Sequence, residues 1–171
     1  SRSKPIANGM TDKIETLIPH LGLLVLDVQQ TFLNAFKDSD PFFKRVAFSL
    51  ESAKLFGIPQ LFTEQQPEVL GHTIEKLADL TPDSPRVPKT NFSAINEPAV
   101  LKWIEENSIH HLLIAGLETP ICVYQSVLDA LNRDLKVTLL CDAVGGRRPE
   151  DESAVLASLR IHGAHVLPAE T

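Results

Sequence analysis

Residues 111–131 read HLLIAGLETPICVYQSVLDAL, and the fold follows from this stretch. Leu112–Ala115 is short and wholly apolar, the pattern of a central parallel strand covered on both faces. Gly116 breaks the run. Thr119 is a good N-cap, and Pro120 suits the first helical position, where its missing N–H costs nothing. Val123, Val127, Ala130 and Leu131 then share one helical face. Cys122 therefore falls in the first helical turn, near unpaired backbone N–H groups and the positive end of the helix dipole. Both favour thiolate over thiol. A free cysteine is most often an inert core residue. Its place just past a strand's carboxyl end shifts that balance, because open α/β sheets bind ligands there.

The same grammar extends along the chain. Leu21–Leu26 is an uninterrupted apolar run ending at Asp27, with Phe32 in reach of the same edge. Asp40–Pro41 opens a helix with an acid at the N-cap, Phe43, Val46, Ala47, Leu50 and Ala53 repeat at helical spacing, and Gly57 ends it. Ile58–Thr63 is a second strand. The polar stretch after it turns helical from Thr73, and residues 79–88 form a proline-rich loop. Val87–Lys89 is a short strand with Lys89 at its exit. Asn96 caps a helix over Glu97–Asn107. Leu135–Cys141 is a strand ending at Asp142, Pro149–His162 a helix with Ala154, Val155, Leu159 and His162 inward, and Ala164–Leu167 a last strand. Strands and helices alternate without repeats, which specifies α/β with a mostly parallel sheet.

The 171 residues suit one domain with a sizeable core. An N-terminal extension over residues 1–20, loosely ordered or in part foreign to the native chain, precedes a domain over 21–171. The opening SRSKPIANG lacks the apolar middle of a secretory signal, and no apolar run approaches the ~20 residues that span a bilayer. Acids exceed bases for a formal net charge of −6. Such a surface repels nucleic acid and anionic membranes, so neither is an expected partner. Two cysteines make no disulfide framework, which points to a reducing, cytoplasmic setting.

Three polar residues thus stand at strand exits: Asp27, Lys89 and Cys122. A cysteine nucleophile needs a proton acceptor and a group to hold developing charge, and a carboxylate with an ammonium supplies both. Any α/β chain offers several such residues, and a surface salt bridge is the plainer reading of Asp27 with Lys89. Asp142 reads as a loop cap, Cys141 as an inert core thiol, His110 and His111 as edge residues. Arg147 and Arg148 read as a solvated loop rather than a grip on an anionic substrate.

Three segments, LLVLDVQQTF with its strand, PKTNFSAI (88–95) and LLIAGLETPICVYQSVLDAL (112–131), resemble the isochorismatase-like cysteine hydrolases, the superfamily of nicotinamidases and N-carbamoylsarcosine amidase. KVTLLCDAVGGR (136–147) is similar to the family's next strand and loop. The resemblance implies a doubly wound six-stranded sheet of order 3-2-1-4-5-6 with helices on both faces, and a catalytic triad of Asp27, Lys89 and Cys122. It implies a substrate pocket that includes Phe32, a cis Leu117–Glu118 peptide, and an oxyanion hole made by the Glu118 and Cys122 N–H groups. The activity implied is cleavage of a small amide-like substrate through a thioester. A catalytically silent scaffold of the same fold is the alternative. Relatives commonly associate, so a homo-oligomer is expected.

One departure is informative. Nicotinamidases hold a divalent metal through an Asp-x-His pair and a further histidine after the second strand. Here that region reads TEQQPEVLGHT, and His72 stands alone. Metal sites of this kind want three or four protein ligands. The reading is a metal-free hydrolase without cofactor, with nicotinamidase activity disfavoured. Cys122 is expected to be more reactive than Cys141, its pKa lowered by the helix start and Lys89.

Overall fold

Leu21–Leu26 forms β1, and every later strand is placed relative to it. In chain order there follow α1 (Gln30–Asn34), α2 (Asp40–Leu55), β2 (Gln60–Gln65), α3 (Pro67–Leu70), α4 (Glu75–Ala78), β3 (Arg86–Lys89), α5 (Pro98–Glu106), β4 (His111–Leu117), α6 (Tyr124–Asn132), β5 (Lys136–Gly145), α7 (Glu152–Ile161) and β6 (His165–Leu167). The six strands pair in parallel in the order β3-β2-β1-β4-β5-β6. The order reverses between β1 and β4, and a crevice opens at such a reversal beyond the strands' carboxyl ends. The computed structural model describes residues 18–171. Residues 1–17 of the expected extension lie outside the described residues. His20 is tied down, its ring stacked on His110 and its carbonyl accepting the N–H groups of His110 and His111.

Alternation along β1 builds both faces of the core. Leu24 and Leu26 pack with Val100, Trp103 and Ile104 of α5, Val127 and Ala130 of α6, and Leu159 of α7. Leu23 and Val25 face the other way, onto Leu33 of α1 and Phe42, Val46, Leu50 and Ala53 of α2. The spacing of those α2 residues is the i, i+4 stripe that a surface helix buries. Each large apolar side chain so buried contributes roughly 1.5–3 kcal/mol.

Several local expectations are corrected. Gly116 does not end β4 but lies within it, at φ 116° and paired with Leu26. A Cβ there would sit 2.1 Å from the Leu26 carbonyl oxygen, so only glycine lets the two central strands run this close. Strand β5 does not stop at Cys141. Its register against β4 shifts between Ile114 and Gly116, and it continues to Gly145. Asp142 caps no loop: it accepts the Ala169 N–H at 2.8 Å and lies 3.4 Å from Arg45 Nε. Cys141 is only half-buried and outside the core. Ser39 and Glu97, rather than Asp40 and Asn96, occupy the N-cap positions of α2 and α5. On α2 it is Phe42 rather than Phe43 that is buried, and Ala154 and His162 face solvent.

Candidate active site

Three strand ends meet at the reversal. Asp27 follows β1 at φ 52°, a left-handed conformation that aspartate tolerates better than most residues. Its N–H donates to the Thr63 carbonyl, which ties this turn to β2. Lys89 ends β3, in register with Gln65 at the end of β2. Cys122 does not stand in a regular α-helical first turn. Thr119–Val123 is a wider π-helical turn with Glu118 at its N-cap position, and the Glu118 carbonyl accepts from Ile121 and Val123. Thr119 is therefore inside the turn and makes no side-chain cap. Proline at the second position still removes an N–H that had no intrahelical partner.

The side-chain ends converge. Lys89 Nζ lies 2.9 Å from Asp27 Oδ2 and 3.4 Å from Cys122 Sγ, and it donates to Gln65 Oε1 and to the carbonyls of Asn91 and Phe92. Thr63 Oγ1 donates to Asp27 Oδ1 at 2.8 Å. Asp27, Lys89 and Cys122 are all buried, so the surface salt bridge is replaced by a buried ion pair. Asp27 and Cys122 line a cavity of about 340 Å³, together with Phe32, Phe92, Ile121 and Arg147.

Electrostatics correct one expectation. Burial pushes the Cys122 thiol up to about 12, reinforced by the Asp27 charge and only partly offset by Lys89. The resting sulfur is a protonated thiol, because desolvation of an anion outweighs one ammonium and a helix start. Burial likewise raises the Asp27 carboxyl above the ordinary carboxylate range, against the pull of Lys89 and Thr63. A raised carboxyl is the stronger proton acceptor.

Residues that the sequence left unassigned complete the site. Gln65, at the strand exit beside Lys89, has the same positional signal as Asp27, but a neutral side chain carries no chemical signal in the sequence. Thr63 lies inside β2, where nothing in the pattern separates it from a core residue. Arg147 is not a free loop residue: its Nε meets Glu118 Oε2 at 3.0 Å at the cavity wall. Arg148 pairs instead with Glu150 and Asp151. The Leu117–Glu118 peptide is cis.

The metal set of the nicotinamidases does not fit the residues after β2. His72 meets Glu64 at 3.1 Å, and the other Glu64 oxygen accepts both the N–H and the hydroxyl of Thr73. Burial raises the Glu64 carboxyl, but these hydrogen bonds outweigh it and hold the group below its ordinary range. The carboxylate is thus committed to the loop, and among the described residues no group of three His, Cys, Asp or Glu side chains could hold a metal ion.

The model of the isochorismatase domain family matches residues 22–171. Isochorismatase domain-containing protein 2A of Mus musculus is 33% identical over 159 residues, covering 91% of this chain and 74% of that protein. The solved structure of MAR1 ribonuclease from Caenorhabditis elegans is similar with a TM-score of 0.83 and 28% identity, over 90% of this chain and 80% of that one. The YcaC gene product of Escherichia coli, described as an octameric hydrolase of unknown specificity, gives a TM-score of 0.82 at 23% identity, over 97% of this chain and 80% of that one. That last likeness is one of fold.

Proposed function

The chain belongs to the isochorismatase domain family, and from that premise we propose that it is a metal-independent cysteine hydrolase of small amide-like substrates. The observation that carries this is the buried contact of Lys89 Nζ with both Asp27 Oδ2 and Cys122 Sγ, at the edge of a cavity sized for a small molecule. Because the thiol is protonated at rest, proton transfer accompanies attack. Cys122 Sγ bonds to the substrate carbonyl carbon as Asp27 takes the thiol proton. Lys89 holds its ammonium against both groups, so the charge moving from oxygen to sulfur stays paired. The Glu118 and Cys122 N–H groups hold the oxyanion. Asp27 returns the proton to the departing nitrogen, the C–N bond breaks, and a thioester remains. Asp27 then takes a proton from water, whose oxygen attacks the thioester. An acid leaves and the thiol is restored. Phe32 is an apolar wall against the acyl group.

The rival is a silent scaffold of the same fold. A panel of small amides, ureas and esters, with an RNA added because the MAR1 neighbour is a ribonuclease, separates the readings. Turnover of a C–N substrate that vanishes in Cys122→Ala, with acylated Cys122 trapped by mass spectrometry, is the expected result. Equal rates for wild type and Cys122→Ala on every compound would leave the scaffold. The acidic net charge favours a small-molecule substrate over RNA. The octameric YcaC neighbour supports a homo-oligomer, which light scattering tests. Two free cysteines fit a reducing, cytoplasmic setting. Among the described residues no helix is long and apolar enough to cross a membrane.

A further inference from the structure

We propose that Gln65 is a positioning residue of the reactive centre, acting through Lys89: it supplies a neutral acceptor that keeps the ammonium on Cys122 while the charge of Asp27 is being cancelled. This rests on reading Asp27, Lys89 and Cys122 as that centre.

The first support is the census around Lys89 Nζ. Among the described residues its polar neighbours are Asp27 Oδ2, Cys122 Sγ, Gln65 Oε1 and the carbonyls of Asn91 and Phe92. Two of these exchange a proton with each other during the reaction. When Asp27 becomes neutral, its hold on the ammonium falls, and the sulfur has only begun to carry charge. A buried ammonium without acceptors sheds its proton rather than remain charged. The three neutral acceptors do not change state, so they hold the ammonium in place throughout. Gln65 supplies the one side chain among them, and therefore the one a substitution can remove.

The second support is how firmly Gln65 is aimed. It is 5% exposed. Its Nε2 donates to the Thr90 carbonyl at 3.2 Å, which turns Oε1 rather than the amino group toward Lys89. Its backbone is clamped by a second buried amide. Gln29 Oε1 accepts the Gln65 N–H at 2.7 Å, and Gln29 Nε2 donates to the Gln65 carbonyl at 2.9 Å and to that of Gly71 at 2.7 Å. A side chain thus stands in for a strand neighbour where β1 has already ended. Gln29 and Gln65 form a chain of neutral hydrogen bonds leading from the loop after β2 to the ammonium.

The charged groups around the centre are few. Asp27 lies beyond β1 and Lys89 on β3. Glu118 at the end of β4 is paired with Arg147 from the loop after β5. Glu152 on α7 meets Thr119, and Glu64 on β2 is paired with His72. An uncharged change at Gln65 alters none of these charges.

The test reads the thiol without any substrate. Alkylation of Cys122 by iodoacetamide is followed against pH by peptide mapping, with Cys141 in the same sample as internal reference. In Gln65→Met the Cys122 profile is expected to move to higher pH, so that alkylation at pH 8 is slowed by roughly tenfold, the equivalent of one pKa unit. Cys141 is unmoved. In a Lys89→Met background the same change adds no further slowing, because the ammonium through which Gln65 acts is gone. Gln65→Asn, whose amide falls one methylene short, gives the same direction should the Met variant not fold. A folded Gln65 variant with the wild-type Cys122 profile overturns the inference, as does a slowing that persists in full without Lys89. Shifted alkylation with no turnover of any substrate would remove the hydrolase reading alone. Turnover with an unmoved profile would remove this inference alone.

Discussion

Cys122 and Cys141 are both free thiols near the carboxyl side of one sheet, and burial pushes both above the ordinary thiol range. Cys122 is the more buried and the more strongly raised. By the common rule that a reactive cysteine is exposed and acidic, neither qualifies. What separates them is partners. Cys122 sits on a turn between β4 and α6 where Lys89 and Asp27 reach its sulfur, and it opens onto the cavity. Cys141 lies within β5, where burial and Asp142 raise its pKa and Arg160 lowers it, and it is not among the residues that line the cavity at Asp27 and Cys122. On the proposed reading, Cys122 is set apart by a proton acceptor within reach, not by a resting thiolate.

The largest contrast should be in turnover. On any substrate the panel yields, Cys122→Ala is expected to lose at least roughly a thousandfold in kcat, since removal of a nucleophile leaves only binding and the oxyanion donors. Cys141→Ala should stay near wild type. A large loss in Cys141→Ala would end the comparison.

Lys89→Met attacks the feature that sets Cys122 apart. It leaves a buried Asp27 carboxylate facing an apolar group, and breaking a buried pair in this way costs about 3–5 kcal/mol in stability. Urea unfolding should show that loss at high pH and a smaller one as pH falls, with the relief setting in above the ordinary carboxylate range, because burial raises the Asp27 carboxyl and Lys89 no longer opposes it. A loss independent of pH would mean that the pair is not ionic.

Most of this architecture was legible in the chain. The apolar runs at 21–26 and 112–115, each followed by a polar residue, gave strands, sheet class and two of the three convergent side chains. What was missed was decided by tertiary approach. Gly116 reads as a breaker because φ and the distance to Leu26 are invisible in sequence. Asp142 reads as a strand end because the register shift of β5 depends on β4. The sign of the Cys122 shift cannot be read from the chain, because a helix start is local whereas desolvation depends on everything packed around the sulfur. Nothing in the chain marks Gln65, because its contact with Lys89 is made across two paired strands.

The thiol shift makes a pH prediction. Folding raises Cys122 from 9.0 to about 12, so above pH 9 the folded state keeps a proton that the unfolded chain releases. Stability therefore falls as pH rises through that window, by at most about 1.4 kcal/mol per pH unit for one group. Urea midpoints between pH 8.5 and 10.5 should decline less steeply in Cys122→Ala than in wild type. Parallel declines would show that Cys122 is not strongly raised. The Cys141→Ala slope should move less, because Cys141 remains partly in contact with water.

The smallest effect expected is in the stability of Cys141→Ser at neutral pH. A buried thiol replaced by a hydroxyl loses apolar contact and must find a hydrogen-bond partner, or it carries the cost of desolvation. Cys141 is half-buried and adjoins the irregular part of β5, where Asp142 already points outward to Arg45 and the Ala169 N–H. A hydroxyl there can reach solvent, so the urea midpoint should shift by the equivalent of less than about 1 kcal/mol. Cys122→Ser, placed in a 5%-exposed position between Lys89 and Asp27, keeps polar partners too, so stability separates the two serine variants only weakly. Turnover should separate them completely, because an alcohol gives up its proton to Asp27 far less readily than a thiol does. If Cys141→Ser instead proved the more destabilised of the two, the irregular segment of β5 would be packed as tightly as the Thr119–Val123 turn, and partners alone would no longer separate the two thiols.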